Sequence, residues 1–238
     1  KTGASTVDQY QSILEIIALS MGVAWASGVN LYAVLLVLGL GGASGNIALP
    51  AELALLENPL VIGAAGLMYM VEFGADKIPG VDTVWDTLHT FIRLPAGAML
   101  AAGAVGEAEP ALILAAAIVG GSVAATSHLV KSGSRMVINT SPEPVSNWTA
   151  SIAEDISVVG AIWLALNHPV LLLALLVVFI GLSIWLLPKL WRLIKRLFLR
   201  IRSWLSGQRY STEDTENEPA IVLDSTALDL DELPKIKP

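Results

Sequence analysis

Long runs without charge dominate the pattern of this chain. No charged residue occurs in the apolar run 16–42, which exceeds the roughly 20 residues that a helix needs to cross the hydrocarbon layer of a membrane. Five more apolar runs follow, at 59–73, 94–106, 111–127, 156–166 and 170–187. The two shortest runs, 94–106 and 156–166, each extend a polar, amphipathic turn. The pattern predicts an all-α, polytopic membrane bundle of about six transmembrane helices.

The positions of lysine and arginine predict the orientation of these helices. The connections 42–58, 106–110 and 167–169 contain neither residue, whereas the other connections are flanked by both types. Basic connections lie on the cytoplasmic side of a membrane. With six spans, both termini then share the cytoplasmic side, with residues 1–11 as a cytoplasmic segment and residues 12–188 as the transmembrane domain.

The C-terminal region changes character twice. Residues 189–206 alternate basic and apolar side chains at helical spacing. This pattern is typical of an amphipathic helix on anionic lipid headgroups, and a plain stop-transfer anchor is the alternative. Residues 207–238 form an acidic tail that we expect to be disordered. A docking motif for a protein partner within this tail is the other interpretation.

The composition of the chain excludes several kinds of functional site. The chain is 54% hydrophobic and 15% charged, and it contains no cysteine. A disulfide framework, a thiolate metal site and a cysteine nucleophile are therefore excluded. The net charge is -7, and the eight acids and two lysines of residues 211–238 account for -6 of it. The remaining body is nearly neutral, which argues against nucleic acid as a partner.

Two charged groups occur at and after the end of the second apolar run, and ionisable residues at membrane depth are functional candidates because they are costly there. Glu72 and Asp76 lie four residues apart on one helical face, where they repel unless they share a proton or a cation. A salt bridge from Glu72 to the fourth helix is the alternative. Asp86, His89 and Arg93 follow on one stripe of the third helix. A solvated interfacial helix is the alternative for this stripe.

A third charged group closes the fourth helix. His128, Lys131 and Arg135 lie at spacings of three and seven residues, which again favours one helical face. Glu143 and Asn147 follow in a proline-containing connection, where they can supply oxygen ligands or helix caps. We expect the stripe of the third helix to face this region across a vestibule on the cytoplasmic side.

Asn30 interrupts the first apolar run two residues after Gly28. Both residue types are poor helix formers, and a buried asparagine in a membrane needs hydrogen-bond partners. The position predicts either a broken helix that lines a cavity or an ordinary hydrogen bond between helices.

The charged groups also suggest an internal repeat. Segments 60–106 and 111–166 each contain a helix that ends in charge, a proline-broken turn and a helix that starts polar and ends apolar. This order indicates a parallel two-helix duplication. Repeats of this kind in transporters place a polar site between the two units.

Three long motifs carry a family resemblance, at residues 24–32, 71–97 and 138–148. Over roughly residues 12–198 the chain resembles the bacterial integral-membrane family catalogued as domain of unknown function 4126. The resemblance implies a compact polytopic domain in the bacterial inner membrane and implies no activity. The run 72–77 is also similar to the Glu-x-Gly-Asp-Lys signature of a cation/proton exchanger family, from which it departs by the insertion of Ala75.

Three functions fit these observations. The first is a small transporter or channel for an ion or a proton-coupled solute. The second is a non-catalytic scaffold or assembly subunit. The third is an enzyme acting on lipid headgroups or phosphates, in which Arg93, Lys131 and Arg135 hold the phosphate, although no phosphate loop or nucleophile elbow is present. The sequence leaves the cofactor, the metal and a homo-oligomeric state open.

Overall fold

A computed structural model describes residues 6–78, 80–140 and 144–205, and this described part is helical between short connections. A short 3-10 helix, Ala51–Glu57, precedes the second long helix. The six long helices are α1 Thr6–Ala43, α2 Pro59–Ala75, α3 Val81–Val105, α4 Pro110–Ile138, α5 Pro144–Asn167 and α6 Pro169–Leu205. The predicted all-α polytopic bundle is confirmed. Glu143 and the acidic tail 207–238 lie outside the described residues.

Five of these helices, α1 and α3 to α6, are long and apolar enough to cross a membrane. A sixth span results if the 3-10 helix and α2, which are bent by 68°, are counted as one. Proline at the first position starts both α2 and α4, where its missing N–H costs nothing. Glycine at positive φ stands between α2 and α3 and at the end of α3, at Gly80 and Gly106.

The helix α1 is broken at Asn30. This residue has extended rather than helical angles, with φ -147° and ψ 98°. Its side-chain oxygen accepts a hydrogen bond from the Ala33 amide at 3.0 Å, which is the arrangement of a residue that caps the start of a helix. Two helical halves, residues 6–29 and 31–43, therefore meet at Asn30.

The two halves of α1 return to the same end of the bundle. Ile16, near the start, lines one cavity together with Ala48 and Pro50, and Gly42, near the end, packs against Leu49. A straight helix would separate residues 16 and 42 by about 39 Å. The contacts thus require α1 to fold back as a hairpin, with its tip at Asn30.

This hairpin corrects the predicted topology. The start of α1 lies where α3 ends, because the Ser20 hydroxyl donates to the Ala101 carbonyl at 2.8 Å. The helix α6 runs toward the other end, where Leu190 packs beside Gly133 of α4. The start of α1 and this part of α6 therefore lie at opposite ends of the bundle. The expectation that both termini share one side treated 16–42 as a single straight span, and the break at Asn30 removes that basis. The side of each terminus stays a prediction.

Small residues bring α1, α3 and α4 into close contact. A Cβ atom added at Gly28 would collide with the Ser127 hydroxyl and the Ala124 carbonyl, and one added at Gly120 would collide with Ala101. Close backbone approach of this kind is the main source of helix association in lipid. Gly63 of α2, in contrast, has open space beside it. The two-helix duplication stays a prediction.

Candidate functional site

Seven charged side chains from four helices meet inside one end of the bundle. We call them the buried charge cluster: Glu72, Asp76, Asp86, Arg93, Lys131, Arg135 and Glu154. Six of the seven are almost fully buried, and Glu154, at 16% side-chain exposure, is the exception. Since Arg93 follows the first residue of α3 by twelve positions, it lies about 18 Å along that helix.

Arg93 joins α2 to α3 and α4. One of its terminal nitrogens donates to Glu72 Oε1, and the other donates to Asp86 Oδ1 at 3.0 Å and to His128 Nδ1 at 3.1 Å. A fully buried guanidinium needs carboxylate partners to offset its desolvation. The pairing of α2 with α3 in this region therefore depends on Arg93.

Lys131 lies among carboxylates of three helical elements. Its Nζ is 3.3 Å from Glu72 Oε1, 3.5 Å from Asp76 Oδ2 and 3.4 Å from Glu154 Oε2, with Asp86 Oδ1 further away at 3.9 Å. An ammonium is a compact point charge, so one lysine can serve several carboxylates at once. This geometry ties Glu154 electrostatically to Glu72.

Arg135 connects the cluster to α5. It donates from Nε and a terminal nitrogen to the two oxygens of Glu154, at 2.9 and 2.8 Å, in the bidentate geometry that suits a guanidinium. It also lies 3.3 Å from Asp76 Oδ2 and donates to the Asn147 carbonyl at 3.1 Å. Arg135 thus links the end of α2 to the first turns of α5.

The cluster holds one more carboxylate than it holds cations. Its members are three cations and four carboxylates, and both arginines and the lysine already face carboxylates. One oxygen on each of Glu72, Asp76 and Asp86 is buried without a hydrogen-bond partner. Buried polar atoms are normally hydrogen-bonded, so these three oxygens are unsatisfied positions inside the cluster.

Two histidines border the cluster. Arginine can only donate, so His128 Nδ1 accepts from Arg93, and His128 Nε2 carries the proton that bonds Thr90 Oγ1 at 2.8 Å. His89 Nδ1 donates to the Trp85 carbonyl at 2.8 Å, and its Nε2 is hydrogen-bonded to the Tyr32 hydroxyl at 3.0 Å. Both ring nitrogens of each imidazole therefore have a hydrogen-bond partner.

Asn30 stands at the break of α1 and also makes the hydrogen bond between helices that its position suggested. It breaks α1, and its side-chain amide donates to Asp155 Oδ1 at 2.9 Å. The other oxygen of Asp155 accepts from the Tyr69 hydroxyl at 2.8 Å. The tip of the α1 hairpin is therefore joined to α2 and α5 through one carboxylate.

The connections at the same end of the bundle hold further polar contacts. Asn139, the residue that ends α4, donates to Asp82 Oδ2 at 2.8 Å and so joins α4 to the start of α3. Lys77, between α2 and α3, donates to the Phe73 carbonyl at 2.8 Å. Desolvation lowers the pKa of the Lys77 amine, although the charge of Asp76 opposes this effect.

Asp86 and Arg93 of the α3 stripe face α4, since Arg93 bonds His128 and Asp86 lies near Lys131, whereas His89 bonds Tyr32 of α1. The charged groups are enclosed and pair with one another, which does not fit the predicted vestibule. Pairing also leaves the cations unavailable for the phosphate that the enzyme hypothesis requires. Sequence reasoning gave no site role to Glu154 or Asp155.

No group of three His, Asp or Glu side chains within the described ranges is arranged to hold a metal ion. The model of one protein family, described as a domain of unknown function (DUF4126), matches residues 17–189 of the chain. No curated protein and no solved structure matches the chain.

Proposed function

The chain belongs to the DUF4126 family, and we propose that it is a membrane transporter that couples the movement of a solute to a proton. One observation carries the proposal: the buried charge cluster holds four carboxylates against three cations inside the helix bundle. An uncompensated charge is costly in such an interior. A single bound proton neutralises the cluster, so proton binding and conformation are linked in free energy.

A proton suits this site better than a metal ion. The oxygens that face Arg93, Lys131 and Arg135 are already engaged in ion pairs, and a cation in their midst would face three positive side chains. A proton needs only one free oxygen, and Glu72 Oε2 and Asp86 Oδ2 are free. Two carboxylates that are held close together in one buried site repel each other, and a proton on one of them relieves this repulsion.

Glu154 supports a route between the cluster and the surface. It is the most exposed member at 16%, and it shares Lys131 with Glu72. Because both carboxylates contact the same ammonium, protonation of one changes the charge that stabilises the other. Exchange of a proton at Glu154 can therefore alter the buried pair of Glu72 and Arg93.

We further infer that the protein lies in the bacterial inner membrane with the charged end of the bundle in the cytoplasm. The connections between α2 and α3 and between α4 and α5 lie at this end, near Lys77 and Arg135. The connections 106–110 and 167–169 carry no basic residue. Basic flanks favour the cytoplasmic side.

The proposal is tested in proteoliposomes that contain a pH-sensitive dye. Addition of single cations and small anions outside should include at least one solute that changes the internal pH at a rate dependent on the protein. Glu72→Gln keeps the shape of the central side chain and removes its proton-binding oxygen, so the coupled pH change should be lost. Glu107→Gln, which alters an exposed glutamate in the turn after α3, is the matched control and should keep the wild-type rate.

Two results would contradict the proposal. The first is a Glu72→Gln variant that couples as well as the wild-type protein. The second is a folded, correctly inserted wild-type protein for which no solute changes the internal pH, and this result would favour the assembly-subunit hypothesis.

A further inference from the structure

A carboxylate and an amide join the start of α3 to the end of α4, outside the buried charge cluster. Asp82, in the first turn of α3, is 0% exposed, and its Oδ2 accepts a hydrogen bond from Asn139 Nδ2 at 2.8 Å. The same nitrogen donates to Thr83 Oγ1 at 3.2 Å. A side-chain amide has two N–H donors, so both donors of Asn139 already have an acceptor.

The second oxygen of each group is unsatisfied. Asp82 Oδ1 and Asn139 Oδ1 are both buried and have no hydrogen-bond partner among the described residues. A carboxylate oxygen and an amide oxygen can only accept, so these two atoms cannot bond each other while Asp82 is ionised. A proton on Asp82 Oδ1 turns that oxygen into a donor. The acid and the amide can then form a reciprocal pair, in which each group donates to the other and accepts from it.

The charges around Asp82 do not compensate an ionised carboxylate. Three charged groups act on it, namely Asp76 at the end of α2, Asp86 on α3 and Arg135 on α4. Two of the three are acids, which repel a second negative charge. Arg135 is the one cation of this set, and it already bonds Glu154 and lies beside Asp76. A buried carboxylate without its own cation is costly.

Neither the start of the helix nor a metal ion replaces the missing cation. Free amide groups at the start of a helix can stabilise a carboxylate. Here the amides of Asp82 and Val84 donate to the carbonyls of Ile78 and Gly80, so neither bonds the carboxylate. A metal ion such as Ca²⁺ takes about six to eight oxygen ligands, whereas this site has two free oxygens. A proton needs only one of them.

We propose that Asp82 binds a proton and that the resulting acid–amide pair with Asn139 holds the start of α3 against the end of α4. The site is separate from the buried charge cluster, and it requires no movement of a solute. Loss of the proton at alkaline pH leaves a buried charge without a cation of its own, so the contact between the two helices weakens as the pH rises. Failure of the transport assay would leave this proposal unaffected.

Infrared spectroscopy of the full chain in lipid at neutral pH tests the proton directly, because a neutral carboxylic acid has its own carbonyl band. We expect Asp82→Asn to remove one such band, and Glu107→Gln, at an exposed position, to remove none. Asn139→Ala takes the hydrogen bond away from the acid carbonyl, so the band should remain and move to higher frequency. A spectrum that Asp82→Asn leaves unchanged, or a band that Asn139→Ala does not move, overturns the proposal.

Unfolding in detergent at a series of pH values tests the contact between the helices. Asp82→Asn supplies an amide in place of the acid, and two amides can form the reciprocal pair without a proton. We expect the unfolding equilibrium constant of the wild-type protein to rise with pH relative to that of Asp82→Asn, by up to about tenfold per pH unit, the limit for one proton. Glu107→Gln should follow the wild-type protein. Unfolding constants of wild type and Asp82→Asn that change in parallel with pH would also overturn the proposal.

Discussion

At the residue scale, Glu72 and Arg93 bond each other inside the bundle and yet affect the charge balance of the cluster in opposite ways. Arg93→Gln leaves two cations with four carboxylates, whereas Glu72→Gln leaves three with three. Uncompensated buried charge costs about 3–5 kcal/mol. We expect Arg93→Gln to lower the free energy of unfolding by this amount, and Glu72→Gln by about 1 kcal/mol, the value of an ordinary hydrogen bond.

Unfolding in detergent, followed by tryptophan fluorescence, measures both changes under the same conditions. If Glu72→Gln costs as much as Arg93→Gln, the stability of the bundle depends on an ionised Glu72 carboxylate. Glu72 would then be a structural ion-pair partner and not the group that binds the proton.

The charged residues of α2, α3 and α4 could be predicted because each stands out within an apolar run. Glu154 and Asp155 show the limit of this approach. They are neighbours in sequence, so their side chains point about 100° apart on the helix. Glu154 bonds Arg135, whereas Asp155 bonds Asn30 and Tyr69. Their separate surroundings depend on which helices flank α5, and this information is absent from the local pattern.

At the element scale, close contact of α1 with α4 depends on glycine. We expect Gly28→Ala to destabilise the protein by about 1–3 kcal/mol, the usual cost of overpacking, because its Cβ would meet the Ser127 hydroxyl and the Ala124 backbone. Gly181→Ala is the matched control, since it has no atom within 4 Å. Melting temperatures in one detergent provide the comparison, and equal values for the two variants would disprove the tight contact.

The hairpin in α1 shows the limit of length and hydropathy as predictors. They predicted one straight transmembrane helix where the structure has two helical halves. The run 16–42 has the composition of a single span, and the neighbouring poor helix formers Gly28 and Asn30 were a local sign of a break. The predicted hydrogen bond between helices is present, from Asn30 to Asp155, and the helix is broken at Asn30, but no cavity that Asn30 lines is described. The direction of the second half is set by distant contacts, such as Gly39 against Leu56.

Cysteine cross-linking tests the hairpin directly, since the natural chain contains no cysteine. Ile16 and Ala48 line one cavity, so the pair Ile16→Cys and Ala48→Cys should be joined by a short bismaleimide. A straight α1 would hold residue 16 about 40 Å from residue 43, and no short linker would then react. The pair Ile16→Cys and Lys77→Cys, from opposite ends of the bundle, is the control and should stay unlinked.

At the scale of the whole molecule, the hairpin determines at which end of the bundle α1 begins relative to the end toward which α6 runs. Five helices, α2 to α6, connect the two ends of the bundle in alternation, and both halves of α1 lie toward the end where α3 terminates. An odd number of helices therefore separates the start of α1 from residue 190 of α6. Since the basic connections favour the cytoplasm, we expect the N-terminus outside and the C-terminus inside.

A pair of reporters tests this arrangement, one fused before Lys1 and one after Pro238. The N-terminal reporter should read as external and the C-terminal reporter as cytoplasmic. Labelling by an impermeant maleimide gives an independent control within the bundle: Asn46→Cys, in the exposed loop after α1, should react from outside, and Lys77→Cys only after the membrane is opened. Two cytoplasmic reporters would instead mean that α1 crosses the membrane once, and the hairpin and its placement of Asn30 beside Asp155 would have to be abandoned together.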